Sequence, residues 1–303
     1  SMRATEILCQ EIMLDKIHIG AIVAIESMSN VPYLLMKARS GYRMGPGTLQ
    51  DSLFQDGLID AFYNYHVGIT AENLAEQYSI SREEQDKFAL EGHRRAIKAI
   101  KENRFRDEIV PVEIKSKGKV TIFDRDEHPR EDTTMEKLAS LKPAFKEDGT
   151  VTPGNASGMN DGAAALILMG ADKAAELGLK PLARIISSAS ASVDPKVMGI
   201  GVVPAVNKAL KYANLTLDDI DLWEINEAFA AQAIACNREL KLDWEKVNVN
   251  GSGVSLGHPV GSTGARIMLM VMNELRRRGG RYGCATLCAG GGPGMATIIE
   301  ILN

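Results

Sequence analysis

The spacing of apolar and polar residues changes about half-way along the chain. After residue 180, short apolar runs alternate with segments of helical spacing. The runs predict strands at 183–191, 220–225, 247–250, 282–288 and 295–302. The helical spacing predicts helices at 203–213, 227–240 and 262–278. Strands that alternate with helices are typical of a layered α/β fold, so residues 180–303 are expected to form one compact unit.

The pattern before residue 180 is less regular. A helix at 3–15 and an Ile-rich strand at 17–25 are expected first. Later segments predict a helix from the Ser81 capping box to about 103, a strand pair at 108–123, a short helix at 135–141, a strand at 163–169 and a helix at 171–177. Residues 30–52 are rich in Gly, Pro and Ser. Residues 31–155 therefore resemble a loop-rich insertion.

The composition argues against a nucleic-acid-binding protein, a membrane protein and a disulfide-rich secreted protein. The chain has 303 residues, 45% of them hydrophobic, and a net charge of −4, which gives no general attraction to nucleic acid or anionic membranes. No apolar run is long enough to cross a bilayer and no signal peptide is visible. The four cysteines are too few and too scattered for a disulfide framework, so the cytoplasm is the expected location. The basic run 276–278 before Gly279 is ordinary helix-stop chemistry.

Three segments in the last third place reactive side chains at strand ends or in loops. Asn226 follows a predicted strand, His258 lies between Gly257 and Pro259, and Cys288 precedes a run of glycines. A thiol, an imidazole and an amide together suit proton abstraction next to a carbonyl, with the oxygen held by hydrogen-bond donors. No carboxylate is evident behind His258, which disfavours a hydrolase triad.

Each of these residues also has a structural interpretation. Asn226 could cap the following helix, His258 could be a packing residue, and Cys288 could be a buried inert thiol. Cys284 and Cys288 could hold zinc, but no second ligand pair lies nearby in sequence. No metal and no separate cofactor are therefore expected.

The three segments, in their order and spacing, resemble the C-terminal motifs of thiolases. They read Asn226-Glu227-Ala228-Phe229, Gly257-His258-Pro259 and Cys288-x-Gly290-Gly291-Gly292. Three upstream segments also resemble thiolases: 26–30 (ESMSN), 66–73 (HVGITAEN) and 154–162 (GNASGMNDG). The likeness runs from about residue 20 to the end and is weaker over 3–19.

The resemblance implies an α/β fold of two similar βαβαβαββ halves with a loop domain inserted in the first. On this chain, residues 1–30 would be a remnant of the N-terminal half and 31–158 the loop domain. Residues 159–179 would return to the N-terminal half, and 180–303 would form the C-terminal half. The family loop at 38–50 implies a homodimer or homotetramer.

The resemblance also implies an acetyl-CoA C-acetyltransferase or 3-ketoacyl-CoA thiolase, with coenzyme A as part of the substrate. Cys288 would move the proton of acetyl-CoA, while His258, a water held by Asn226, and the N–H of Gly290 would bind thioester oxygens. The CoA contacts carried over from the family are Ser157, His66, Phe229 and, beside the adenine, Arg130.

One departure from the family carries an expectation of its own. The family's nucleophilic cysteine would fall before residue 1, and Cys9 lies where the family has a small residue. The first half is therefore expected to be incomplete and the chain inactive in turnover. A non-catalytic acyl-CoA binder of thiolase descent is the alternative. A ketoacyl synthase is disfavoured, because that group pairs its cysteine with two histidines or with histidine and asparagine, whereas this chain has a second cysteine, Cys288, before a glycine run. A purely structural oligomer would leave the three motifs unexplained.

Overall fold

The structure, a computed structural model, describes residues 1–302 of the chain. The helices of this part are α1 Met2–Met13, α2 Gly68–Gln77, α3 Arg82–Lys101, α4 Met135–Ala139, α5 Ala171–Glu176, α6 Val202–Ala213, α7 Ala230–Leu240, α8 Gly253–Leu256 and α9 Val260–Arg278. The strands are β1 Ile19–Glu26, β2 Tyr33–Leu34, β3 Gln50–Asp51, β4 Val112–Ser116, β5 Lys119–Phe123, β6 Gly162–Met169, β7 Ala183–Ser192, β8 Leu222–Ile225, β9 Tyr282–Cys288 and β10 Pro293–Ile301. The α/β class is as predicted.

A four-stranded sheet forms the centre of the second half, in the order β7-β10-β9-β8. β8 runs parallel to β9, whereas β10 is antiparallel to both of its neighbours. Successive side chains of a strand point to opposite faces. Cys284 accordingly packs into the core formed with α6 and α7, and Ala285 packs into the core formed with α9. The sheet is thus covered by helices on both faces.

A second, two-stranded sheet lies on the other side of α9. β1 and β6 pair antiparallel from Ile19–Met169 to Glu26–Gly162, and Ile22 and Ala24 pack against Ala265 of α9. The opposite face of this sheet is apolar and open, because Val23 and Ile167 keep 68% and 65% of their surface exposed. Helix α9 is therefore the layer between two sheets.

The segment between these sheets in sequence is mostly loops and short elements. Ser81 accepts a hydrogen bond from the backbone N–H of Glu84 at 3.1 Å and caps α3, as predicted. The β4–β5 hairpin is exposed along its whole length. α3 packs on α7 and α8, which attaches this segment to the C-terminal half. The division of the chain at residues 30, 158 and 179 stays a prediction.

Three details of the sequence interpretation are wrong. α7 begins at Ala230 and not at 227, because Phe229 is extended and forms a β-bridge with Ala156. Residues 247–250 form isolated bridges in place of a strand, one of them pairing Val247 with Trp223. α2 was not predicted, because its buried face consists mainly of small residues, which give a weak apolar period.

Candidate active site

Parallel pairing of β8 and β9 brings Asn226 and Cys288 to the same edge of the sheet. Ile225 is paired with Thr286, and the N–H of Asn226 donates to the carbonyl of Thr286 at 2.9 Å. Each strand ends within two residues of this pair, so both side chains leave the sheet at its carboxyl edge. Asn226 does not cap α7, whose N-cap is Phe229. The capping interpretation of Asn226 is wrong.

The loop before α9 delivers His258 to this edge. The N–H of His258 donates to Asn160 Oδ1 at 3.0 Å. Gly257, at φ +88°, leaves room for that amide, since a Cβ there would lie 2.3 Å from Asn160 Oδ1. His258 Nε2 then lies 3.3 Å from Asn226 Nδ2. The imidazole and the amide therefore face one another.

Burial keeps His258 uncharged. Removal from solvent, with a smaller contribution from the Arg266 cation, lowers the pKa of the His258 imidazole from 6.5 to about 3. Its other nitrogen, Nδ1, lies 2.7 Å from Thr263 Oγ1. The group behind the imidazole is thus a hydroxyl and not the carboxylate of a hydrolase triad. At neutral pH the imidazole has a single N–H to donate.

Cys288 occupies the last position of β9, and only 5% of its surface is exposed. Burial raises the pKa of the Cys288 thiol from 9.0 to about 12. In the ligand-free site the desolvation of the thiolate outweighs the backbone dipoles of the glycine run, which would lower the pKa. Cys288 rests as a neutral thiol.

The glycines after Cys288 form a tight turn into β10. Ala289 N–H donates to the carbonyl of Pro293 at 2.8 Å, and Gly291 and Gly292 have φ values of +86° and +99°. A Cβ on Gly292 would lie 2.2 Å from the carbonyl of Val193, so only glycine fits. Gly290 is exposed at the top of this turn, and its N–H donates to no acceptor among residues 1–302.

A wall of aromatic rings continues from this edge. His66 stacks on Phe145 with centroids 4.4 Å apart, and Phe145 meets Phe229 edge-on at 6.0 Å. Ser157 lies beside this wall, because its N–H donates to the carbonyl of Ala228 at 2.9 Å. Burial lowers the pKa of His66, which favours its neutral form. Phe145 gave no sequence signal, since it lies in the polar segment 124–149.

Arg130 lies in a groove that none of the other seven candidate residues lines. It lines a groove of about 360 Å³ with Leu90, Arg94 and Ile97 of α3. Its backbone N–H donates to His93 Nδ1 at 3.2 Å. In the described part of the chain it makes no hydrogen bond or ring contact with the aromatic wall. Its role beside the adenine stays a prediction.

A buried carboxylate ties the loops of the site together. Glu227 Oε1 accepts from Asn248 Nδ2 at 2.7 Å, and Oε2 accepts from the N–H of Val254 at 3.2 Å. Glu227 is 2% exposed, and burial raises the pKa of its carboxyl to about 7. This brace fixes the turn that carries Asn226 against the loop that leads to His258. In the sequence, Glu227 stands out only as part of the motif at 226–229.

The other three thiols lie in different surroundings. Burial raises the pKa of Cys236 and of Cys284, and both are fully inaccessible in the core of α6 and α7. Cys9 is half-buried in α1, and burial together with Glu6 raises the pKa of its thiol to about 11. Among residues 1–302, no group of three or more His, Cys, Asp or Glu side chains has the arrangement of a metal site.

Family models match nearly the whole chain. The model described as "Thiolase, N-terminal domain" matches residues 1–172, and "Thiolase, C-terminal domain" matches residues 179–301. The chain belongs to the thiolase family. It is 52% identical to the acetyl-CoA acetyltransferase of Syntrophomonas wolfei, over 99% of this chain and 77% of that protein. It is 53% identical to the acetyl-CoA acetyltransferase of Escherichia coli K12, over 92% of this chain and 71% of that protein.

Solved structures share the fold. The crystal structure of the Bacillus anthracis acetyl-CoA acetyltransferase superposes with a TM-score of 0.97 at 52% identity, over 99% of this chain and 76% of that one. Human mitochondrial 3-ketoacyl-CoA thiolase in complex with CoA gives a TM-score of 0.95 at 44% identity, over 99% and 75%. These matches confirm the thiolase fold. They give no support to the expectation of an inactive chain, and the incomplete first half stays a prediction.

Among residues 1–302, every helix is too short or too polar to cross a membrane.

Proposed function

We propose that the chain is an acetyl-CoA C-acetyltransferase, which joins two acetyl-CoA molecules into acetoacetyl-CoA and CoA or cleaves 3-oxoacyl-CoA in reverse. The observation that carries this proposal is the convergence of Asn226, His258 and Cys288 at one edge of the β8–β9 pair. Relatives at 52% and 53% identity carry the acetyl-CoA acetyltransferase name, which supports it.

In the proposed mechanism, Cys288 moves the proton at the α-carbon of the acetyl group. In the condensing direction its thiolate takes a proton from the methyl of acetyl-CoA; the C–H bond breaks, an S–H bond forms, and the electron pair passes to the thioester oxygen. In the thiolytic direction the thiol returns the proton to the enolate carbon. The high pKa of Cys288 suits the second direction, because the resting group is already an acid.

The thioester oxygen that gains charge is assigned to the donors at this edge. His258 Nε2 and a water held by Asn226 are assigned to stabilise the enolate oxygen, because His258 Nε2 and Asn226 Nδ2 lie only 3.3 Å apart. The unpaired N–H of Gly290 is assigned to the other thioester of the reaction. The neutral imidazole of His258 suits the enolate oxygen, because it adds no positive charge that must be neutralised when the enolate reacts.

The CoA chain is proposed to lie along the aromatic wall. The rings of His66 and Phe229, bridged by Phe145, give an apolar surface for the pantetheine, and Ser157 offers a hydroxyl beside it. Arg130 is assigned to the adenine end. No cofactor beyond the substrate is proposed.

A non-catalytic acyl-CoA binder remains the second candidate. The observation that favours it is the placement of the other thiols: Cys236 and Cys284 are sealed in the core, and Cys9 is in α1 with a raised pKa. Covalent acyl transfer needs a thiolate that a substrate can reach.

Two assays separate these functions. In D2O, mass spectrometry follows the replacement of acetyl-CoA methyl protons by deuterium, a reaction that requires only Cys288 and the oxygen-binding groups. Loss of the acetoacetyl-CoA enolate absorbance in the presence of CoA reports full transfer. Exchange and transfer together support the acetyltransferase, and exchange alone supports the binder with a surviving acceptor site. Absence of exchange, or exchange that persists in Cys288→Ala, would overturn the assigned role of Cys288.

We also propose that the chain forms a homodimer or homotetramer. Residues 38–50 are almost entirely exposed, and Met44 and Leu49 leave 84% and 60% of their surfaces open. Apolar side chains on a projecting loop are typical of an interface. Light scattering tests this proposal: a monomeric mass would contradict it. Replacing both side chains by serine should lower the mass if this loop makes the contact.

A further inference from the structure

The hydroxyl of Thr263 lies directly behind the imidazole of His258. Thr263 is in the first turn of α9, fully buried, and its Oγ1 is 2.7 Å from His258 Nδ1. No other group among residues 1–302 is within hydrogen-bond distance of this nitrogen. If the Thr263 hydroxyl donates to Nδ1, the proton of a neutral imidazole is on Nε2. If Nδ1 donates to the hydroxyl, the proton is on Nδ1.

The Thr263 hydroxyl has one other possible acceptor, the carbonyl oxygen of Pro259, and this oxygen already receives enough hydrogen bonds. Thr263 Oγ1 also lies 2.9 Å from the carbonyl oxygen of Pro259. That oxygen already accepts from the backbone N–H groups of Ser262 and Thr263, each at 2.9 Å, and from Ser262 Oγ at 3.3 Å. A carbonyl has two lone pairs, so it is satisfied without a further donor. The hydroxyl proton is free to turn toward His258 Nδ1.

The cleft side of the ring selects between the two tautomers. If Nδ1 carried the proton, Nε2 would present a lone pair to the thioester oxygen and repel it. If the Thr263 hydroxyl donates to Nδ1, the only imidazole proton is on Nε2, where the proposed function needs a donor. The Oδ1 of Asn226 is buried and has no partner among residues 1–302, so a half-turn of this amide exchanges Nδ2 for Oδ1 beside His258 and gives the Nε2–H an acceptor in the free site. A fully charged imidazolium is disfavoured, because burial lowers the pKa of His258 to about 3. A carboxylate or carbonyl in place of Thr263 would impose the opposite tautomer.

We propose that Thr263 is a positioning residue, whose hydroxyl donates to Nδ1 of His258 and holds the imidazole as the Nε2–H tautomer. The assignment of a task to this tautomer rests on the proposed function. The tautomer itself can be measured without any reaction, so the two fail separately.

The first experiment is nitrogen NMR of the whole chain labelled with ¹⁵N-histidine. The chain has five histidines, and the signals missing from His258→Asn identify the residue. We expect Nε2 at the shift of a protonated nitrogen and Nδ1 at that of an unprotonated nitrogen accepting a hydrogen bond. A protonated Nδ1 in the wild type, free or with acetyl-CoA bound, overturns the proposal.

Two variants and a matched control extend the test. Thr263→Val keeps the shape but removes the hydroxyl, and Thr263→Ser keeps the hydroxyl. Ser262→Ala removes the neighbouring hydroxyl that shares Pro259 but does not touch His258. In Thr263→Val we expect the Nδ1 shift to become that of a nitrogen without a hydrogen bond. In Thr263→Ser and Ser262→Ala we expect it to stay at the shift of a nitrogen that accepts one.

The exchange of acetyl-CoA protons supplies the functional measurement. We expect kcat of this exchange to fall at least about 10-fold in Thr263→Val with little change in KM, and to stay within about threefold of wild type in Thr263→Ser. An equal loss in Thr263→Val and Thr263→Ser, or an unchanged Nδ1 shift in Thr263→Val, overturns the proposal. If Thr263→Val does not fold, two measurements still test the proposal. They are the tautomer of His258 in the wild type and the retention of a hydrogen-bonded Nδ1 shift in Thr263→Ser. Absence of exchange in the wild type, with the expected tautomer present, contradicts only the proposed function.

Discussion

Replacement of His258 by asparagine should make the fold less sensitive to acid. In the folded chain, burial lowers the pKa of His258 to about 3, while the unfolded imidazole titrates at 6.5. Between these values the unfolded chain binds a proton that the folded chain does not bind. Stability therefore falls as the pH falls through 6.5 and continues to fall toward 3.

The magnitude follows from the same two values. At pH 4.5 the unfolded imidazole is protonated by about 100 to 1, which corresponds to about 2.5 kcal/mol relative to pH 7. His258 is only half-buried by surface area, so about 2 kcal/mol is the expected share. Urea unfolding at pH 7 and pH 4.5 measures the difference, and the difference between wild type and His258→Asn cancels the other titrating groups.

The matched control is His18→Asn, because His18 is exposed beyond the end of α1. This variant measures the effect of a histidine-to-asparagine change at an exposed position, and His258→Asn is compared with it as well as with the wild type. If His258→Asn matches the wild type, the His258 imidazole is hydrated or charged in the folded state. The description of a neutral donor would then be wrong.

Three further outcomes are expected. Iodoacetamide at pH 6.5 should leave Cys288 and Cys9 unlabelled in the folded chain, since burial raises the pKa of both thiols; rapid labelling of Cys288 at that pH, mapped by mass spectrometry, would show an activated thiolate. Glu227→Ala should lower the free energy of unfolding by about 3 kcal/mol, because it leaves two buried donors unpaired, and Glu227→Gln by less; equal losses in urea unfolding would contradict the brace. Phe145→Ala should raise the KM for acetyl-CoA about 10-fold with little change in kcat, whereas a loss confined to kcat would place the ring elsewhere in the reaction.

The sequence predicted the regular elements that have a strong apolar period. Helix α3 with its Ser81 cap, the β4–β5 hairpin and the last two strands all lie within a few residues of their predicted bounds. The prediction began helix α7 too early because Glu227-Ala228-Phe229 is compatible with a helix. Only the bridge between Ala156 and Phe229, more than 70 residues apart in sequence, holds that stretch extended. Local patterns contain no information about such a contact.

The candidate site shows the same limit. Asn226, His258 and Cys288 could be found from their glycine-rich surroundings, and the structure brings them to one edge of a sheet. The groups that determine their protonation are not marked in the sequence. Thr263 is one of many hydroxyl residues near a helix start, and the importance of its position is visible only from the 2.7 Å contact with His258.

The protonation states of the site also explain why the residues around Cys288 are a poor guide to its reactivity. A cysteine followed by glycines and near a histidine suggests an activated thiolate, because dipoles and an imidazolium would stabilise the anion. The neutral imidazole removes one of these contributions, and desolvation of the thiol, which is 5% exposed, outweighs the other. Desolvation then dominates, and the thiol holds its proton until a bound thioester, or the chemistry that precedes proton transfer, changes its surroundings. A buried thiol of this kind is expected to react slowly with small electrophiles near neutral pH, yet it can give a proton to an enolate carbon that forms beside it. In the thiolytic direction, the proposed function thus assigns to Cys288 a reaction that suits a buried, uncharged thiol.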